Sequence, residues 1–359
     1  MTPVRADARY ALWHGVGAPV TVETLPSTTL PDGGVLVEVE LATVCGSDLH
    51  TALGHRPGPT PSVLGHEQVG RVVAVDAVSP TTVQGQPVRV GDRVVWSVAA
   101  SCGDCDRCAA GIPQKCRSLR KYGHEAVTAD WTLNGGFATH CVLLPGTAIA
   151  VVPAHVPAAA AAPAACATAT VAAALDAVQR PLDGARVLVT GAGMLGITAV
   201  AMAVDAGASV TVSDPNAGRR ARAVCFGAAR AAAPGDAIGS FDVAVELSGY
   251  PDAVEAAVDS LDVDGVAVLV GAVSTSRPVT IDPEQIVRRL NRIVGVHNYA
   301  PRHLATAVAF LARSELPFAD LVERPVGLDA VGHAVTTPPS DGFLRRGVAP
   351  RGRRGVMAA

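Results

Sequence analysis

Residues 45 to 67, CGSDLHTALGHRPGPTPSVLGHE, place a thiol, an imidazole and a carboxylate where they could hold one metal ion and pass protons to and from it. Cys45 and His66 suit zinc, which takes thiolate sulfur and imidazole nitrogen, and a catalytic zinc keeps one position open for water or substrate. Two ligands do not complete such a site, so a third must come from elsewhere in the chain. On these residues alone a plainer reading stands beside the chemical one, with Cys45 a small buried hydrophobe ending the run VLVEVELATV and His66 a satisfied loop histidine.

A second constellation is CGDCDRCAAGIPQKC, in which Cys102, Cys105, Cys108 and Cys116 follow the spacing C-x-x-C-x-x-C-x7-C. Four thiolates on a short glycine- and proline-bearing loop suit closed tetrahedral zinc. An iron-sulfur cluster also uses four thiolates, but its bacterial motif has a shorter last spacing and a following proline. With no cysteine left open, this site is expected to be structural.

A third lies in RVLVTGAGMLGITAVAMAVDAGASVTVSD. A buried strand runs into the tight glycine turn GAGMLG at 191–196, which holds Gly191, Gly193 and Gly196 with Met194 and Leu195, the helix ITAVAMAVDAGA follows, and the next strand ends at Asp214, eighteen positions after the last glycine. That context turns a weak G-x-G-x-x-G match into a dinucleotide site: the glycines allow the turn, the approach of a pyrophosphate and close helix packing, and the helix N-terminus favours anions. Asp214 would accept hydrogen bonds from ribose hydroxyls and disfavour a 2'-phosphate, so NAD is expected over NADP, although Arg219 and Arg220 lie just beyond it. Ser248 and Gly271, ending later strands, are further cofactor candidates.

The elements that must position these groups change character along the chain. From Tyr10 to about Val98, short alternating runs such as 35–41, 68–76 and 91–98 predict a β-rich barrel-like domain. The loop and strand pair of 117–155 follow, and RSLRKYGHE could border a cleft or form a solvated face. From about residue 156 an alanine-rich helix gives way to alternating strands and helices, including strands at 241–249, 265–271 and 292–298 and a helix from about Asp252 to Leu261, which predict a doubly wound sheet. HLATAVAFLAR is helical, and the basic tail FLRRGVAPRGRRGVMAA is expected to end in mobile residues. The expected division is a catalytic domain of 1–160 and 300–359 around a dinucleotide-binding domain of 161–299. Cys141 and Cys225 are expected as buried filler.

At 359 residues two cores are expected, and a net charge of -3 gives no basis for nucleic acid as partner. Eight cysteines in so long a chain do not describe a secreted disulfide scaffold. MTPVRADARY has no apolar signal core, and VPAAAAAPAACATATVAAALDAV is too rich in alanine, threonine and proline to span a bilayer well, so no membrane partner and a cytoplasmic location are expected.

With both cysteine sets and the glycine turn in place, the chain resembles the zinc-containing medium-chain alcohol dehydrogenases over nearly its whole length. The C-G-S-D-x-H box, the G-H-E box, the four-cysteine lobe and the glycine turn occur in that family's order. The resemblance implies a GroES-like β-rich catalytic domain plus a Rossmann doubly wound parallel-sheet domain, two zinc ions per chain, and a homodimer or homotetramer joined through cofactor domains. It makes Cys45, His66 and Cys166, in PAACATATV, the ligands of a catalytic zinc. Glu67 becomes an acidic neighbour able to approach that metal, Asp48 the carboxylate that orients His66, and Ser47 with His50 a proton relay. Gly46 departs from branches with a basic residue there, which leaves Arg346 as a candidate for the cofactor-phosphate contact. The implied activity is hydride transfer between a small alcohol, with its aldehyde or ketone, and NAD.

At finer grain GIPQKC, KYGHE, PAACATATV and GVHNYAPRHL resemble a branch associated with phosphonate metabolism. A phosphonate-bearing alcohol would find candidate cations in Arg56, Lys121 and His124. A polyol, amino-alcohol or simple alcohol dehydrogenase is the alternative within the fold. A non-catalytic zinc- and dinucleotide-binding sensor or scaffold is the alternative outside it.

Overall fold

Residues 2–352 are described by the computed structural model. Two strands open the chain as an antiparallel ribbon, β1 (Thr2–Leu12) and β2 (Thr21–Leu30). The run VLVEVELATV forms β3 (Val35–Val44), where only Glu38 and Glu40 reach partial exposure. Its other positions are apolar residues and threonine packed into the protein on both faces. There follow α1 (Gly46–Ala52), β4 (Glu67–Val75), β5 (Arg93–Ala100), α2 (Asp106–Ala109), β6 (Arg120–Lys121), β7 (His140–Leu143), β8 (Thr147–Val151) and α3 (Ala158–Ala161). A 3-10 turn over Ala162–Ala165 then leads to Cys166.

The chain continues through α4 (Ala167–Asp176), β9 (Arg186–Thr190), α5 (Met194–Asp205), β10 (Ser209–Ser213), α6 (Ala217–Cys225) and β11 (Arg230–Ala232). Next come β12 (Phe241–Glu246), α7 (Pro251–Asp259), β13 (Leu261–Leu269), α8 (Pro283–Arg289) and β14 (Arg292–Gly295). The last elements are α9 (Pro301–Arg313), β15 (Val322–Val326), α10 (Val331–Ala334) and β16 (Arg345–Val348). The chain divides into one compact unit of Met1–Cys166 with Ala300–Ala359 and another of Ala167–Tyr299.

In the first unit an eight-stranded sheet runs β15-β16-β3-β4-β5-β6, with β7 also on β3 and β8 also on β5. One edge of β3 is shared: β7 pairs with Val35–Glu38 and β16 with Ala42–Val44. Trp96, Tyr122, Phe137 and Phe310 are the largest fully buried side chains of this unit. What the sequence presents as a basic tail therefore contains a buried strand, β16, because Gly347 and Val348 pair with β3 and each arginine finds an acid. The end of the tail expected to be mobile lies outside the described residues.

The second unit is a parallel sheet in the order β11-β10-β9-β12-β13-β14, so strand order reverses between β9 and β12, where doubly wound sheets bind ligands. The strand expected from Gly265 begins at Leu261, which pairs with Phe241, and the preceding helix stops at Asp259. Cys225, expected to be buried, is exposed at the end of α6, a helix with only Ala223 buried, whereas Cys141 is fully buried. No single helix among the described residues is long and apolar enough to cross a membrane.

The turn between β9 and α5 depends on a missing side chain, since a Cβ at Gly196 would fall 1.8 Å from the carbonyl oxygen of Gly191, itself at φ +90°. At Gly193 a Cβ would meet nothing within 4 Å. Gly196→Ala is therefore expected to cost at least about 2 kcal/mol and Gly193→Ala under about 1 kcal/mol, read from urea midpoints at unchanged slope. Equal losses would show that the helix can shift to accommodate the methyl group.

Candidate active site and metal centres

Cys45 follows β3 and begins α1, while His66 immediately precedes β4, and the pairing of Thr43 with Glu67 brings the two boxes side by side. Asp48, fully buried in α1, joins them. Its Oδ2 accepts from Cys45 N at 2.9 Å, its Oδ1 accepts from Gly65 N at 3.2 Å, and the same oxygen lies 3.5 Å from His66 Nδ1. The other ring nitrogen of His66 is thereby left for the centre of the site. Burial opposes protonation of His66, and the adjacent Asp48 carboxylate overcomes it, raising its pKa.

Cys166 arrives from the 3-10 turn, where Pro163 removes a helical donor and Cys166 N donates to Pro163 O. The ligand atoms of Cys45, His66 and Cys166 all lie within 4.8 Å of one another. Two sulfurs and one imidazole nitrogen are the protein donor set of a catalytic zinc site. The Cys166 hydrogen bond, followed by the Arg345 charge and His66, holds Cys45 well below the usual thiol range. The complementary effect pushes Cys166 up.

Ser47 Oγ lies 3.3 Å from His66 Nε2, at the mouth of this cluster. His50 is one turn further along α1, exposed, with its ring centroid 5.7 Å from that of His55. Among the described residues no hydrogen bond joins Ser47 to His50, so the relay is not a closed chain here.

Glu67 is fully buried and accepts from Thr43 Oγ1 at 2.7 Å and from Arg345 Nε at 2.8 Å and Nη2 at 3.0 Å. Arg345 Nη2 also lies 3.6 Å from Cys45 Sγ. Burial pushes the Glu67 carboxyl up to about 7 while the Arg345 guanidinium pulls it down. Arg345 is absent from the sequence reading because nothing in LRRGV distinguishes a buried arginine from a solvated one. Arg346, the candidate for a cofactor-phosphate contact, donates to Glu323, to Thr337 O and to Pro338 O, which engages its guanidinium locally.

His124 stacks against His66, ring centroids 4.6 Å apart and tilted by 36°, so this part of KYGHE is not a solvated face. Burial and the charges of His66, Arg56 and Lys121 hold His124 well below the usual imidazole range. Burial and the charges of Arg56 and Lys115 likewise lower Lys121, with Glu125 opposing them. Arg56 and Lys121 therefore bring positive charge near His124, which their field and burial keep from protonating beside His66. Glu125 is occupied by Lys121 N and Arg120 Nε, both at 2.6 Å.

In the cysteine lobe the sulfur separations are 3.3 Å (102–116), 3.6 Å (105–108), 3.9 Å (105–116) and 4.0 Å (102–108). Bonds of about 2.3 Å at tetrahedral angles put sulfurs roughly 3.8 Å apart, so the four residues fit zinc. The Cys102 N–H is the main influence lowering Cys116, to about 6.

In the second unit Gly193 begins α5, and Met194 and Leu195 form its first turn. Asp214 accepts from Ala192 N at 2.7 Å and Asn216 N at 2.8 Å, one bond per carboxylate oxygen, which leaves lone pairs on both. Arg220 turns back onto the carbonyls of Asp214 and Pro215, whereas the Arg219 side chain is exposed. Ser248 and Gly271 lie just past β12 and β13, and a Cβ on Gly191 would fall 2.9 Å from Ser248 N.

Removing one partner of a buried ion pair leaves the other charge uncompensated, while removing both is far less damaging. Arg345→Met is expected to destabilise by about 3–5 kcal/mol, with the Glu67→Gln/Arg345→Met double variant recovering most of that loss. Urea unfolding of the zinc-loaded protein measures the cycle, and additive losses would show that the pair is not coupled.

The sequence matches the alcohol dehydrogenase GroES-like domain over residues 31–154 and the zinc-binding dehydrogenase domain over 195–313. It is 31% identical to a D-altritol 5-dehydrogenase of Agrobacterium fabrum, over 88% of this chain and 92% of that one. It is 30% identical to an L-threonine 3-dehydrogenase of Streptomyces coelicolor, over 89% of this chain and 90% of that one. Among solved structures, an alcohol dehydrogenase of Thermotoga maritima superposes with a TM-score of 0.89 at 26% identity, covering 96% of this chain and 99% of that one. A zinc-binding dehydrogenase of Sinorhizobium meliloti, bound to NADP, gives a TM-score of 0.84 at 25% identity, covering 96% of this chain and all of that one. The chain is a member of the zinc-containing medium-chain alcohol dehydrogenase family, with its GroES-like and Rossmann folds.

Proposed function

We propose that this protein is a zinc-dependent, NAD-linked alcohol dehydrogenase, with its first unit as the catalytic domain and its second as the cofactor domain. The convergence of Cys45, His66 and Cys166 with Ser47 at its mouth carries the reading. These three residues would hold a catalytic zinc, and Cys102, Cys105, Cys108 and Cys116 a structural one. Zinc at the first site would supply Lewis acidity toward an alcohol oxygen, and NAD a hydride acceptor. Ser47 is placed to take the alcohol proton, and His50, exposed one turn along α1, to release it to solvent. Asp48 keeps His66 oriented, and Arg345 keeps Glu67 engaged away from the ligand atoms. The products of oxidation are the carbonyl compound, the reduced nicotinamide and one proton, and reduction reverses each transfer. The expected setting is a homodimer or homotetramer in the cytoplasm.

Metal analysis of the loaded chain is expected to give two zinc ions, and Cys45→Ala to retain the fold and NADH binding while losing turnover. Cys116→Ser is expected to lower stability and assembly. One ion per chain, or two variants that behave alike, would overturn this division of roles. NAD is expected to give the higher kcat/KM, because Asp214 disfavours a 2'-phosphate. Arg219 and Arg220 lie just beyond Asp214 and could accept a phosphate if it turned away, and a clear NADP advantage would overturn the NAD assignment. A broad failure to form NADH from alcohols would instead favour a non-catalytic sensor or scaffold.

The finer reading is a small alcohol bearing a phosphonate, supported by the cations Arg56 and Lys121 beside the His124 that stacks on His66, with Glu125 offsetting part of the charge at Lys121. A polyol or amino alcohol is the alternative, in line with the names of the D-altritol and L-threonine dehydrogenases. A hydroxyalkyl phosphonate should exceed the equal-length plain alcohol in kcat/KM by at least roughly tenfold, and Arg56→Met should erase most of that difference while sparing the plain alcohol. Equal rates on both would remove the phosphonate and leave the dehydrogenase.

A further inference from the structure

Glu246, the last residue of β12, is fully buried at the point where strand order reverses. Its Oε1 accepts three hydrogen bonds from the turn that follows: Ser248 N at 2.7 Å, Ser248 Oγ at 2.6 Å and Gly249 N at 2.8 Å. That turn is in backbone contact with two others. A Cβ on Gly191 would lie 2.9 Å from Ser248 N, and one on Gly249, at φ +77°, would lie 2.4 Å from the carbonyl oxygen of Gly271. The turns after β9, β12 and β13 therefore meet with almost no side chain between them, and the Glu246 carboxylate is the group that ties the middle one in place.

The other carboxylate oxygen has no hydrogen-bond partner, and neither has the hydroxyl of Thr190, 3% exposed, which sits beside Glu246 in register on β9. No ion pair to Glu246 is present among the described residues. Such a group is a burden on the stability of the unit, since an apolar side chain of similar size would fill the position without burying a half-satisfied carboxylate. What a hydrocarbon could not do is hold two N–H groups and a hydroxyl of the turn at once.

We propose that Glu246 is a positioning residue for the dinucleotide, acting through the Ser248–Gly249 turn and, by contact, on Gly191 and Gly271. It touches no cofactor atom in this role. It sets the mutual placement of three glycine turns whose backbone the dinucleotide must approach, and so rests on the NAD-linked reading of the same unit.

NADH binding to the zinc-loaded protein, followed by fluorescence titration, tests it. Glu246→Ala should raise the NADH Kd by at least roughly tenfold, and Glu246→Gln, whose amide oxygen can accept the same N–H bonds, should return it to within about threefold of wild type. Val243→Ala, a buried neighbour on β12, controls for stability alone and should leave the Kd within about twofold even where its Tm falls as far. Should Glu246→Ala not fold, Glu246→Asp keeps the charge but withdraws it from the turn, and should weaken NADH by at least roughly threefold. A Kd unchanged in the Glu246 variants, or raised equally by Val243→Ala, overturns the proposal while wild-type binding leaves the NAD-linked reading intact. A wild type that binds no NADH overturns both.

Discussion

Asp48 is a carboxylate with no access to solvent, and its hydrogen bonds come from two separate stretches of chain, Cys45 N and Gly65 N, while His66 stands beside it. A buried anion is tolerable only when so satisfied. The requirement fixes the end of β3, the first turn of α1 and the entry to β4 as one object. Everything chemical in the first unit hangs on that object: the thiol, the imidazole and, one residue on, Glu67. The direction of the imidazole follows too, because the nitrogen facing Asp48 is no longer available to the cluster.

Around this centre the protein buries a second pair of charges, Glu67 and Arg345. A buried ion pair adds little to stability compared with a hydrocarbon of the same volume, so its use here is better understood through placement than through energy. Arg345, with Thr43, holds the Glu67 carboxyl in one buried orientation. It also adds a positive charge near Cys45 Sγ, where a thiolate is needed.

The parts of this arrangement that could be read from sequence are those encoded locally. The four cysteines lie within fifteen residues, and the glycine turn sits between a strand and a helix with its acidic partner a fixed distance on. β3 and β9 announce themselves through apolar runs. Cys166 is different, because only family resemblance pointed to it, and its approach depends on a 3-10 turn closing on residues far upstream. Arg345, Glu246 and the contact of His124 with His66 carried no local mark at all, since each is defined by a partner distant in sequence or by an interior the sequence does not display. Arg346 shows the converse: a basic residue in a basic stretch looks free until Glu323 and two carbonyls are seen to hold it.

The position of β16 also bears on how the chain is made. It pairs with β3 beside Cys45, yet lies some three hundred residues downstream, after the whole of the second unit. During synthesis from the N-terminus, residues 167–299 are all available before residue 345 exists, so the inserted unit can fold first. The first unit meanwhile waits with Glu67 facing its interior and no cation to meet it. Closure of the first unit is thus deferred to the last stretch of translation, and a ribosome that stops short of β16 releases a chain whose second unit can be whole while Glu67 in the first lacks its buried partner.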